Sequence, residues 1–196
     1  MRNTYISPLF ASLILCFSAC ARGDKSIAVV DAAQGLSGKV FAGYQGWYRT
    51  PNDGSGLGWE HYETYEEEFK PGEAGIDFWP DMSEFPDLEK YPTSFKHKDG
   101  STAYAFTSQS ETTVDLHFKW MKEYGIDGIF LQRFAHDVLK GGHHQWELLQ
   151  PSNNKMAEYV QLGAQAHGRS YSIMYDLSSI RHGKMPMVMD DWRGLC

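Results

Sequence analysis

A glycine-punctuated segment near the start of the chain gathers Tyr44, Gln45, Trp47, Tyr48, Trp59 and His61. A second carries Asp77, Trp79, Asp81 and Glu84, and later positions add Gln132, Arg133, His136 and Asp176. Carboxylates, amides, a guanidinium and indole or phenol rings in one set match what a sugar offers. An aromatic face packs on the C–H surface of a pyranose, and planar polar groups pair with its hydroxyls. Asp81 and Asp176 are the carboxylates expected to assist catalysis, and Glu60-His61-Tyr62-Glu63 adds acids beside an imidazole in the first of these loops. Each residue has an ordinary alternative, because rings also pack down on a scaffold and aspartates also close turns. The set carries the expectation, not any single member. Gly141-Gly142-His143-His144 brings two imidazoles together. With no carboxylate or third histidine at ligand spacing, no metal site is expected there, and no cofactor is expected elsewhere.

Such residues converge only if regular elements hold them. Gly38 to Tyr44 is a short apolar run ending in glycine and aromatics, so structure is expected to begin there. From Gln45 to Gly100 prolines and glycines punctuate the chain every few residues, which reads as long functional loops. The acidic run Glu66-Glu67-Glu68 within them reads as a solvated face. Ala103 to Phe106 suggests a short strand. Ser110 or Thr112 can cap a helix through Tyr124, with Val114, Phe118 and Met121 on its apolar face and Gly125 as its stop. Ile126 to Leu131 reads as a strand buried on both faces. Ser152 or Asn153 then caps a helix to His167, Gly168 ends it, and Ser170 to Tyr175 is the next strand. Alternating strands and helices are the pattern of parallel βαβ units.

An open doubly wound sheet and a (β/α)8 barrel both use such units. No GxGxxG or GxxxxGK[ST] follows a strand, so nucleotide binding has little support. Long aromatic loops after the strands favour the barrel. In a parallel barrel the strand ends carry the site, and the strand beginnings serve stability. On that rule Gln132, Arg133, His136 and Asp176 face the mouth, and Asp127 is structural. A barrel of this kind takes about 250 residues, so the expected fold class is α/β, a (β/α)8 TIM-barrel type with the amino-terminal half present. The acidic pair Asp190-Asp191 reads as the cap of a further helix.

Composition narrows the partners. The 196 residues include 18 Lys and Arg against 25 Asp and Glu, a net charge of −7 without basic runs, which disfavours nucleic acid. Hydrophobic residues at 42% argue for a globular chain rather than a disordered one. The amino terminus is an export address: Arg2, the apolar run Leu9 to Phe17, then Phe17-Ser18-Ala19-Cys20, which resembles a bacterial lipobox. The run is too short to span a bilayer. The expected organisation is a signal peptide over 1–19, a lipidated tether over 20–36 beginning at Cys20, and the partial barrel over 37–196. A lipid on Cys20 would hold the protein at a membrane surface, with the outer membrane as destination and no other membrane contact. Cys16 falls in the signal and Cys20 carries lipid, so Cys196 has no disulfide partner within the chain.

Ala42-Gly43-Tyr44-Gln45-Gly46-Trp47-Tyr48, Asp77 to Glu84 (DFWPDMSE), Tyr124 to Phe134 (YGIDGIFLQRF) and Ile173-Met174-Tyr175-Asp176 resemble bacterial proteins described as glycoside hydrolase family 71/99-like, sometimes labelled xylosidase/arabinosidase. The similar blocks are spread over nearly the whole chain after the signal. Relatives of that kind are (β/α)8 barrels, with endo-acting α-mannosidases in family 99 and α-1,3-glucanases in family 71. The resemblance implies a surface-anchored carbohydrate-active enzyme with a saccharide substrate. The family 99 catalytic glutamates lie in a motif late in the barrel, which no residue here matches. The alternative is a surface lipoprotein that captures glycans without cleaving them.

Overall fold

In a computed structural model of the chain, residues 36–64, 68–178, 180 and 183–195 are described. The signal, the lipidation at Cys20 and nearly all of the tether lie outside them, as do Glu66, Glu67 and Cys196.

Three parallel strands form the main sheet in the order β1 (Phe41–Tyr44), β4 (Gly128–Phe134), β5 (Ser170–Asp176). Phe41 pairs with Gly128, and Gly128 with Ser170, so all three strands start level. Helix α1 (Glu111–Glu123) leads into β4, and α3 (Trp146–His167) connects β4 to β5. Parallel neighbours need such long crossovers, because a tight turn can only reverse the chain. A short helix α2 (Ala135–Val138) leaves the tip of β4, and α4 (Met185–Leu195) follows β5. The chain is therefore α/β with a parallel sheet, and no closed barrel is present among the described residues.

The helical spacing of α1 sets the core. Val114, Phe118 and Met121 pack against Ile129 and Leu131 of β4 and Met156, Val160 and Ala164 of α3. Ser110 caps α1 by accepting from the Thr113 amide, and Gly125 takes the left-handed turn after it at φ 75°. Gly163 lets α3 approach α1, since a Cβ there would lie 2.6 Å from the Phe118 ring. Alternation along the strands gives Ile129, Leu131 and Arg133 to the helix side and Gly128, Phe130, Gln132 and Phe134 to the other. On that other side Phe41 and Phe130 meet at 5.3 Å, while Met174 is 40% exposed.

Four expectations are corrected. The strand expected over Ala103–Phe106 is β3 (Thr102–Ala105), which pairs antiparallel with β2 (Tyr91–Lys96) in a separate hairpin rather than joining the parallel sheet. The reason is local: Asp99-Gly100 closes a tight turn, with Gly100 at φ 84° and the Ser101 amide donating to Asp99. Strand β4 runs on to Phe134, because β5 pairs with it as far as Phe134 opposite Asp176. Helix α3 begins at Trp146 rather than beside Ser152 or Asn153, so Ser152 is free to take a buried tertiary contact. Asp190 and Asp191 likewise lie inside α4 instead of capping it.

The long segment between β1 and α1 is a layer of rings. Tyr62, 1% exposed, packs against Tyr48, Trp59, Phe69 and Phe106, and its hydroxyl donates to the Phe106 carbonyl at 2.8 Å. A 3₁₀ turn at Asp87–Glu89 leads from this layer into the hairpin.

Candidate functional site

At the carboxyl-terminal tips of the parallel strands, three side chains join across the sheet. Gln45, just past β1, donates through Nε2 to Gln132 Oε1 at 2.9 Å, and Gln132 Nε2 donates to Asp176 Oδ2 at 3.0 Å. The register explains the reach: Tyr44 sits beside Leu131 and Phe134 beside Asp176, so the three residues share one face. Asp176 Oδ1 also accepts from the Ser178 amide at 2.7 Å. Those Ser178 bonds, helped by Gln132, hold its carboxyl below the usual range, so it stays ionised.

Gln45 and Gln132 line a cavity of about 250 Å³ with Trp47, His61, Phe134 and Asp137. Trp47 stacks on His61 at 4.1 Å and on Phe134 at 5.8 Å. His61 adopts φ 65°, and partial burial, with the Arg49 charge behind it, pushes its pKa down to about 4. The ring is thus neutral at physiological pH. Arg49, 3% exposed, forms part of the cavity wall. Its Nε donates to Ser152 and its Nη1 to the Gly46 and Tyr48 carbonyls, which fixes the Trp47 loop against α3. Burial lowers its pKa to about 10 against the pull of Asp53, and it remains charged. Asp137, in the turn after β4, lies 3.5 Å from His136 Nδ1, and burial raises its carboxyl above the usual range. Glu60, His143 and Asn153 complete the polar lining.

Not every expected site residue is here. Arg133 does not reach the mouth. It points to the helix side, 2% exposed, and grips Asp191 of α4 through Nε at 2.7 Å and Nη2 at 2.8 Å, with Asn154 at 2.6 Å. Tyr175 donates to the same Asp191 carboxylate. Because β4 continues past Leu131, Gln132 and Arg133 fall on opposite faces. Tyr44 faces the core side, its hydroxyl 2.9 Å from His117 Nδ1. Tyr48, Trp59 and Trp79 are rings of the loop layer, and Trp79 also donates to the Tyr104 carbonyl at 2.9 Å. Glu84 is bound to Lys119 at 2.6 Å and Trp120 at 2.8 Å on α1. Asp81 is exposed and accepts from the Ser83 amide, as an aspartate closing a turn does. His136 lines a neighbouring cavity of about 330 Å³ and faces the His143 ring at 5.4 Å.

Sequence reasoning missed Arg49, Phe134, Asp137 and Asn153. Continuing the two-residue alternation of β4 by one more pair would have put Phe134 beside Gln132 on the site face and Asp137 just past the tip. Arg49 and Asn153 had no local signal, because their roles depend on a loop meeting α3.

Compared with known protein families, curated proteins and solved structures, the chain finds no match. Among the described residues no group of three or more His, Cys, Asp or Glu is arranged to hold a metal ion, and no helix is long and apolar enough to cross a membrane.

Proposed function

We propose that the tips of β1, β4 and β5 form the saccharide cleft of a surface glycoside hydrolase, built on a (β/α)8 barrel of the 71/99-like kind and acting on an α-linked polysaccharide or glycan. The observation that carries this is the continuous relay Gln45–Gln132–Asp176, whose two amide side chains line the Trp47 cavity. Two amides and a carboxylate in a row offer both donors and acceptors, which suits adjacent sugar hydroxyls. The barrel is favoured because the α1 and α3 side chains pack on the Ile129–Leu131 side of the sheet, as consecutive βα units of a barrel do. Lipidation at Cys20 would keep the site at the membrane surface. Incorporation of labelled palmitate by the wild type and not by Cys20→Ser tests that part.

Binding tests the cleft. In titration calorimetry with α-1,3-glucan and α-mannan oligosaccharides, one series should bind, and Gln132→Ala should weaken it about tenfold, as expected when a polar partner is left unpaired. Equal affinity of wild type and Gln132→Ala would overturn the placement. A second reading, glycan capture without cleavage, has one observation in its favour: Asp81 sits in an exposed turn outside the relay, so of the two carboxylates expected to assist catalysis only Asp176 joins the relay.

A further inference from the structure

Resting on the saccharide cleft proposed above, we infer that Arg49 anchors an anionic group on the sugar, a uronate carboxylate or a sulfate ester, so that the cleft takes an acidic saccharide. Two arginines are buried among the described residues, Arg133 at 2% exposure and Arg49 at 3%. A buried guanidinium is costly unless a negative charge sits against it. Arg133 has one, the Asp191 carboxylate, held at 2.7 and 2.8 Å. Arg49 has none in ion-pair contact among the described residues. Its side-chain hydrogen bonds go to neutral oxygens, the Ser152 hydroxyl and the Gly46 and Tyr48 carbonyls.

The carboxylates that act on Arg49 through space are engaged elsewhere. Asp53 accepts from the Thr50 and Ser55 amides and from the Ser55 and Thr107 hydroxyls, and Glu60 lies 3.7 Å from His61 Nε2. The direct counter-charge is left to a ligand.

The position of Arg49 allows a ligand to supply it. Arg49 lines the same cavity as Gln45, Gln132 and Asn153, so an anion held there lies among amides suited to hydroxyls. Nε and Nη1 are the nitrogens that tie the Trp47 loop to α3, and the two N–H groups of Nη2 remain as donors. Charge-assisted bonds of this kind are roughly twice as strong as neutral ones, and stronger again away from bulk water. Burial pushes the other basic groups of the wall, His61 and His143, toward the neutral ring, so Arg49 is the cavity's fixed positive charge. Burial also favours the protonated form of Asp137, which lessens its repulsion of an anion.

The test compares matched ligands by titration calorimetry on the full chain, so its first arm leaves the protein unchanged. An α-linked oligogalacturonide is set against its methyl ester, and a sulfated α-mannan oligosaccharide against its desulfated form. In one pair the charged member should bind about 10–100-fold tighter, the size of a hydrogen bond to a charged group, and which pair does so tells carboxylate from sulfate. Arg49→Gln should bring that ratio to about one. Arg49→Lys keeps the charge with fewer donors and should retain a reduced preference, which carries the test if Arg49→Gln fails to fold. Charged and uncharged members bound equally by the wild type, or the uncharged ones bound tighter, overturn the inference and leave a cleft for neutral sugars. A preference undiminished in Arg49→Gln overturns Arg49 as the anchor. Absence of binding by these ligands and by the neutral series above removes the cleft as well.

Discussion

The βα unit and the ring layer solve the same problem with different chemistry. Between the sheet, α1 and α3, burial is achieved by aliphatic side chains at helical and strand spacing, with Phe118, Ile129 and Val160 at 0% exposure. Between β1 and α1 the only regular elements among the described residues are the 3₁₀ turn and the two-stranded hairpin, and burial there is achieved by rings that meet edge to face or stacked, such as Phe85 on Phe106 at 5.4 Å. Aliphatic packing follows from the period of an element. Ring packing follows from which loop folds over which, with each indole or phenol also seeking a partner for its polar end. The first region fixes where the strands end, and the second decides what shape lies above those ends.

The difference is sharpest at the core itself. Phe118→Ala should destabilise the whole molecule by about 3–5 kcal/mol, read from the midpoint of a single denaturant transition. A loss confined to one part of the transition would mean that the two regions unfold separately.

The seam between them is His117. It sits on α1, bonds the Tyr44 hydroxyl, and is faced by the rings of Phe85, Phe106 and Trp120. Burial pushes its pKa down to about 4. The unfolded chain takes up that proton near pH 6.5, before the folded protein does, so stability is full above that value and falls as the pH drops toward 4. The expected loss is on the order of 3 kcal/mol across that window. His117→Gln should flatten the slope. A slope unchanged in His117→Gln would place the acid sensitivity elsewhere.

A smaller effect is expected within the ring layer. Trp79→Phe removes the bond to the Tyr104 carbonyl and part of the stack on Phe69, at a cost of about 1 kcal/mol. It should alter the near-UV circular dichroism of the layer and leave sugar affinity unchanged, because Trp79 lies outside the cavity wall. Weakened sugar binding would show that the layer and the site are one unit.

Legibility in the sequence followed the same division. Helix α1, its apolar face and the stop at Gly125 were readable because each depends on residues within a turn or two, and of the two cap candidates, Ser110 and Thr112, the helix uses Ser110. The structural role of Asp127 was readable from its place before β4, where it accepts from the Val40 amide at 2.9 Å and meets Lys39 at 3.3 Å. The Asp99-Gly100 hairpin carried a local signal that the βαβ pattern overrode. Arg133 was misplaced because the three extra residues of β4, Gln132 to Phe134, decide which face it takes, and they are set by pairing with β5. Trp59 and Trp79 were misplaced because which ring meets which, Trp59 on Tyr62 and Phe69 and Trp79 on Phe69 and Phe95, depends on how the loops fold over one another and follows no period. Of the expected site, Gln45, Trp47, His61 and Gln132 line one cavity, and Asp176 joins it through Gln132.

The most direct measurement is a crystal structure of the protein soaked with an α-linked oligosaccharide that binds in solution. The account requires a sugar ring in the Trp47 cavity, with hydroxyls within hydrogen-bond distance of Gln45, Gln132 or Asp176. A sugar seated instead on the exposed loops around Phe78 and Leu88, with the strand tips empty, would contradict it.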